Sequence, residues 1–259
     1  MFNELSKLLR GAPEDLRAWI INPSTKNIRI CVITIILGFG AYGLTVGLWR
    51  APQMGFFVAF KMPALIFLTL ACNGLLNGML GLLLGSGLGF RQSVVAQLVS
   101  FAIAAMVLGS LAPVTFFMAF NAPSPEASNA ETAHSNYLIA HTLLIAIAGI
   151  IANLHLARLL LAVTPTTRTA ATTLGAWLAG NAFVGAQLSW IMRPFFGTPS
   201  IKVALFREEP FSGTFYETVW NSLQHISGDN GAPLLVIITL GLIALHLPVI
   251  KRFSTQLKK

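Results

Sequence analysis

The sequence predicts an all-α fold: a polytopic transmembrane helix bundle of about six spans, with both termini in the cytosol (N-in/C-in). Three observations lead there. The 259 residues are 55% hydrophobic and only 10% charged, less than half the charge of soluble domains, where it is about a quarter. The uncharged apolar runs reach the roughly 20 residues that cross a hydrocarbon core. Backbone groups in lipid must bond internally, so runs of that length form helices, and the alternation of a barrel strand is absent. Lys and Arg are also unevenly divided: twelve of the 17 fall in segments on the N-terminal side of the membrane, the side that positive charge selects as cytosolic.

Residues 1–29 form a cytosolic amphipathic segment, with no small-residue cleavage site that would make it a removable signal. Leu5, Leu8 and Leu9 repeat at helical spacing, and after the break at Gly11 to Pro13 the pattern returns at Leu16, Trp19 and Ile20. Two short helices are expected. They either lie on anionic headgroups through Lys7, Arg10 and Arg17 or pack on the bundle.

The bundle, 30–250, is divided into spans 30–49, 63–84, 94–118, 138–163, 173–192 and 233–250. Proline is tolerated in a helix's first turn because its missing donor would be unpaired there. Pro63 is therefore read as opening the second span, with Lys61 marking the interface. Residues 119–136, rich in Ala, Ser, Asn and Pro, read as a flexible loop. The outer loop 193–232 mixes aromatic and charged residues densely enough to be folded, and Phe215, Val219 and Leu223 beside Trp220 predict a short helix within it. A basic cytosolic tail, 251–259, closes the chain. With this topology the net charge is +9 inside and −1 outside, so the pI of about 10.0 is a topology signal. No nucleic-acid partner is expected, since no basic patch is interleaved with exposed aromatics.

Small residues let helices approach in lipid, and side-chain amides bond across them. Asn73, Gly74, Asn77, Gly78, Gly81 and Gly85 make such a helix-packing face, and Gly175, Ala179, Gly185 and Ser189 repeat it in the fifth span. Polar groups at membrane depth mark function by default, and a candidate polar path comprises His141, Asn153, His155, Asn181 and Gln187. The two histidines fall within some 40° of one face but about 21 Å apart along the axis, too far for a shared metal. Candidate lipid or partner contacts are Lys61, Arg193, Glu208, Glu209 and Glu217. Pro194 disfavours helical geometry at Arg193, so a sharp turn is expected there, laying Phe195 and Phe196 on the interface. The Arg193 guanidinium would then meet a lipid phosphate or one of the glutamates. No GxSxG, HExxH, CxxC or GxxxxGK[ST] pattern occurs and no carboxylate lies in a span. No catalytic residue, metal ligand or cofactor is assigned.

GAQLSWIMRPFFGTP at 185–199, KMP at 61–63, LAPVTFF at 111–117, LFR at 205–207 and FYETV at 215–219 resemble a group of uncharacterised bacterial multi-span membrane proteins. That group is distantly similar to the Yip family, whose eukaryotic members interact with Rab-type GTPases in membrane traffic. The resemblance implies an integral-membrane helical fold with a cytosolic N-terminus, in the bacterial cytoplasmic (inner) membrane. It carries no active site, and a sixth span departs from the five-span Yip layout.

The function expected is a non-enzymatic scaffold or accessory subunit of a membrane complex, acting through lipid, a membrane-protein partner or a second copy of itself. The alternatives are a small-solute or ion permease and, third, a lipid-modifying enzyme using Lys61, Arg193 and the outer glutamates.

Overall fold

A computed structural model describes residues 6–8, 10–199 and 202–227. The expected sixth span, 233–250, and the basic tail lie outside the described residues, as do Leu5 and Leu9. Two compact units are present, Met1–Pro210 and Phe211–Lys259. All described secondary structure is helical.

Among its described residues the first unit holds the helices α1 (Pro13–Ile21), α2 (Thr25–Leu48), α3 (Pro52–Leu83), α4 (Phe90–Asn121), α5 (Ala130–Val163) and α6 (Thr167–Ile191), and residues 6–8 and 10 are helical as well. Their starts follow from local chemistry. Pro13 and Pro52 sit in first turns, where no amide donor is missed. The Ser24 hydroxyl accepts from the Asn27 amide at 3.1 Å, and the Thr166 hydroxyl accepts from Thr169 at 3.1 Å, each satisfying one orphan donor of a helix N-terminus. α3 ends where Gly85 takes a φ of +75° and the Ser86 amide bonds back to Gly81 at 2.9 Å. That left-handed closure is what glycine permits without a Cβ clash.

Four of these helices, α2 to α5, are long and apolar enough to cross a membrane. Their exposed side chains include Leu37, Phe56, Phe60, Leu83, Phe117, Phe120 and Leu143, each more than half exposed. In water so much apolar surface would drive association. A bilayer as solvent removes that cost.

From α2 to α6 consecutive helices pack against each other, and α2 stands at the centre against α3 and α4. Glycines bring it there. A Cβ on Gly38 would overlap the Ala105 carbonyl, and one on Gly47 would come within 2.5 Å of the Met54 carbonyl. The tightest approaches of a glycine to another backbone are therefore made by α2.

The connections alternate between two ends. At the distal end the Trp49 indole donates to the Pro123 carbonyl at 2.9 Å and Arg50 reaches Thr198 and Pro199. At the proximal end Gln92 donates to the Ile21 carbonyl at 3.2 Å. Here α1 packs against α4 and α5, burying Leu16, Trp19 and Ile20, so the amphipathic stripe serves the bundle.

Two sequence boundaries need correction. α3 begins at Pro52, which leaves Lys61 and Pro63 inside a continuous helix. α5 begins at Ala130, with Glu131 in its first turn complementing the helix dipole, so only 122–129 connects it to α4. α6 matches the expected fifth span but does not meet the length-and-apolarity measure of the other four. In the second unit α7 (Phe215–Ser227) is the helix that the Phe215 and Val219 spacing predicts, and the Thr214 hydroxyl caps it by accepting from the Glu217 amide at 3.0 Å.

Candidate functional site

The distal end concentrates the chain's polar and aromatic side chains. α6 stops at Ile191, the Arg193–Pro194 peptide is cis, and the described residues 194–199 and 202–206 are without helix at the bundle end. The turn expected at Arg193 is present. Phe195 and Phe196 point inward, partly buried against the core, because each finds a partner there.

Phe195 lies with its ring centroid 5.7 Å from the Lys61 ammonium, and Phe206 lies at 5.4 Å. Lys61 is fully buried, and its Nζ donates to the Pro194 carbonyl at 2.7 Å. A cation below the headgroup level is costly and must find backbone carbonyls or other partners. Lys61 does so by holding Pro194 onto α3, with the rings of Phe195 and Phe206 supplying cation–π attraction. Arg50 makes a second clasp, donating from Nε to Thr198 at 3.2 Å and from Nη2 to Pro199 at 3.3 Å. Gly197, at φ +65°, leaves room for the Arg50 stem, since a Cβ there would come within 2.9 Å of it.

Phe196 packs 5.8 Å from the imidazole of His141. His141 is fully buried, with Nδ1 2.7 Å from the Tyr42 hydroxyl and the Tyr137 ring 4.3 Å away. Tyr137 donates to the Thr45 carbonyl at 2.9 Å and stacks on Trp49, which also stacks on His134. An aromatic wall thus runs from the α2–α3 turn to the cap.

On the other side of the cap, Arg193 lies over Trp190 with its guanidinium carbon 3.0 Å from the ring centroid, and Arg207 stands 5.2 Å from the same ring. Arg193 Nε donates to the Trp190 carbonyl at 3.1 Å and Arg207 Nη2 to Pro210 at 2.9 Å. Desolvation, and secondarily the Arg207 charge, lower the Arg193 pKa; arginine remains a cation throughout. The charge beside Arg193 is therefore Arg207. Glu208 and Glu209 are exposed, as is Glu217 on α7 in the second unit.

The expected packing face forms a second polar centre, between α3, α4 and α6. Asn73 and Asn77 donate to Asn181 Oδ1 at 3.2 and 3.1 Å, and Gln97 Oε1 accepts from Asn77 at 2.8 Å and from Asn181 at 3.2 Å. Trp177 donates to the Asn77 backbone carbonyl at 2.7 Å. Gly78 faces Phe90, Gly81 faces Ser86, Ser93 and Trp177, and Gly74 touches Val94. Gly85 lies outside this face, in the turn that ends α3. Asn73 Oδ1, Asn77 Oδ1, Ser93 Oγ and Thr173 Oγ1 are buried without a hydrogen-bond partner.

The five residues of the polar path stand in separate settings. His141 belongs to the aromatic wall and Asn181 to the amide centre. At the proximal end His155 bonds the Ile151 carbonyl of its own helix at 2.8 Å, and its ring fills the space beside Gly11. Asn153 and Gln187 are half-buried on α5 and α6.

Sequence reasoning missed Tyr42, Gln97, Trp177, Trp190 and Arg207. Gln97, alone in the apolar run VVAQLVSF, carried a signal: an amide at membrane depth needs a partner. Compared with known proteins, the chain matches no family model, no curated protein and no solved structure.

Proposed function

We propose that the chain is a non-enzymatic integral-membrane scaffold or accessory subunit, working through lipid or protein contacts at its distal end. The observation that supports this reading is the double clasp of residues 194–199. Buried Lys61 and half-buried Arg50 hold that segment by the backbone carbonyls of Pro194, Thr198 and Pro199, and Leu205 and Phe206 are more than a third exposed. The nearby Trp190, Arg193 and Arg207 are of the residue types enriched in interface hot spots.

In this reading α6 is a fifth span and 233–250 a sixth. Both termini face the cytosol of a bacterial inner membrane, and the distal end faces outward. The reading also takes the chain as Yip-like, with a membrane-protein partner or a second copy in place of a Rab GTPase. A photo-crosslinking residue at Leu205, in native membranes, tests it. A discrete protein adduct, missing when the crosslinker sits at lipid-facing Leu143, is expected; no adduct from the cap refutes the scaffold role.

One observation favours the permease reading: the four unpaired buried oxygens along α3, α4 and α6 line a seam where water or a small solute would be satisfied. Solute uptake by liposomes holding the chain alone, lost on Asn181→Leu, would establish it.

A further inference from the structure

The amide centre between α3, α4 and α6 ends in two oxygens that face one place. Its direction is fixed at Gln97, whose Nε2 donates to the Ser93 backbone carbonyl at 3.4 Å, a partner that can only accept. Gln97 Oε1 therefore faces Asn77 and Asn181 and accepts from the Nδ2 of each. Asn181 Oδ1 in turn accepts from Asn73 and Asn77. Turning Asn73 or Asn77 over would set oxygen against oxygen, so both keep their Oδ1 atoms outside the network.

Those two atoms are buried without a hydrogen-bond partner, on side chains 1% and 0% exposed. Both border the space beside Gly180 on α6. A Cβ built there would have Asn77 Oδ1 at 3.3 Å and Asn73 Nδ2 and Oδ1 at 3.7 Å as its nearest neighbours. Two carbonyl dipoles that turn their negative ends to one space repel each other unless a cation or a proton donor lies between them. The nearest donor, Asn73 Nδ2, is engaged with Asn181, so the space offers oxygens, and a cation asks for oxygens alone. Carbonyl oxygens stand in for part of a cation's hydration shell at membrane depth. Burying charge is costly, and α3, α4 and α6 hold no Asp or Glu to offset it. The ligand that fits bears a single charge.

We propose that Asn73 Oδ1 and Asn77 Oδ1, opposite Gly180, bind a small monovalent cation of the alkali or ammonium kind. Lys61 and the cap lie about 18 Å away along α3, and the proposal goes beyond the scaffold reading without resting on it.

The test uses the full chain in uncharged detergent micelles with choline chloride as the supporting salt. Sodium, potassium, ammonium or magnesium chloride replaces it at constant ionic strength, and thermal unfolding and retention of radioactive sodium are read. A ligand that binds only the folded chain raises its melting temperature, so saturable stabilisation by a monovalent ion, and none by magnesium, is expected. Asn73→Leu and Asn77→Leu should each weaken binding about tenfold, the loss of one contact to a charged group. In choline alone the two variants keep the stabilities that their amide bonds dictate. Glu126→Gln, which removes an exposed carboxylate from the loop after α4, should bind as the parent does and controls for cations gathered at the surface.

Gly180→Ala leaves the amide bonds in place but fills the space that both oxygens border. It should weaken cation binding too, and it carries the test if an asparagine variant fails to fold. The tightest of the three monovalent arms identifies the ion. Equal stability in choline and in every monovalent salt overturns the site. Parent-like binding in Asn73→Leu, Asn77→Leu or Gly180→Ala overturns its placement, and magnesium binding as tightly as the monovalent ions overturns the charge assignment.

Discussion

Replacing Asn181 by Leu should cost far more stability than replacing Asn77 by Leu, although both residues belong to the same amide centre. Asn77→Leu removes two donated bonds, to Gln97 and Asn181. Neither acceptor is then orphaned: Gln97 Oε1 keeps Asn181, and Asn181 Oδ1 keeps Asn73. The change also eliminates an unpaired buried oxygen, Asn77 Oδ1. At the ~0.6 kcal/mol average of a hydrogen bond between membrane helices, the loss is about 1 kcal/mol. Asn181→Leu removes three bonds and leaves Asn73 Nδ2 without a partner. The bonds amount to about 2 kcal/mol and the orphaned donor adds about 1–3 kcal/mol. Adding Asn73→Leu removes the orphan, so the double variant should be less destabilised than the two single changes together predict. Reversible unfolding in mixed micelles of denaturing and mild detergent measures the parent, the three single variants and the double variant. Equal costs at 77 and 181, or strict additivity of 73 and 181, would refute the network.

Other outcomes follow from the same geometry. Gly38→Ala should destabilise more than Gly78→Ala in detergent melting, because the first Cβ meets the Ala105 backbone and the second mainly the ring of Phe90, half exposed and able to move; overpacking of this kind costs about 1–3 kcal/mol. The reverse order would mean that α2 and α4 are not in close contact. Reporter fusions after Lys259 and within 122–129 should report cytosolic and external locations respectively; an external C-terminus would remove the sixth span from the proposed topology.

The helices were legible where lipid alone set the pattern: α2 and α4 lie on their apolar runs with ends displaced by a few residues. The start of α3 was misread because Lys61 and Pro63 look like a boundary. Nothing local tells that Lys61 is buried, since the carbonyl that accepts from it belongs to Pro194, 133 residues on. The start of α5 was hidden by the polar composition of 130–137, which suits a helix running past the bilayer as well as it suits a loop. Of the candidate residues, Asn73 and Asn77 could be read because side-chain amides in an apolar run must pair. Their partners Gln97 and Asn181 follow only once α4 and α6 are placed beside α3. Arg193 was found from Pro194, whereas its pairing with Trp190 and Arg207 depends on how the cap folds back.

The account turns on the clasp that holds residues 194–199 and Phe206 onto the bundle, and hydrogen exchange across the described residues 194–199 and 202–206 in lipid nanodiscs measures it most directly. The account predicts slow exchange in the parent protein and fast exchange in Lys61→Met, with α2 and α4 protected alike in both. Equally fast exchange in the parent, or a Lys61→Met profile unchanged over those residues, would contradict it.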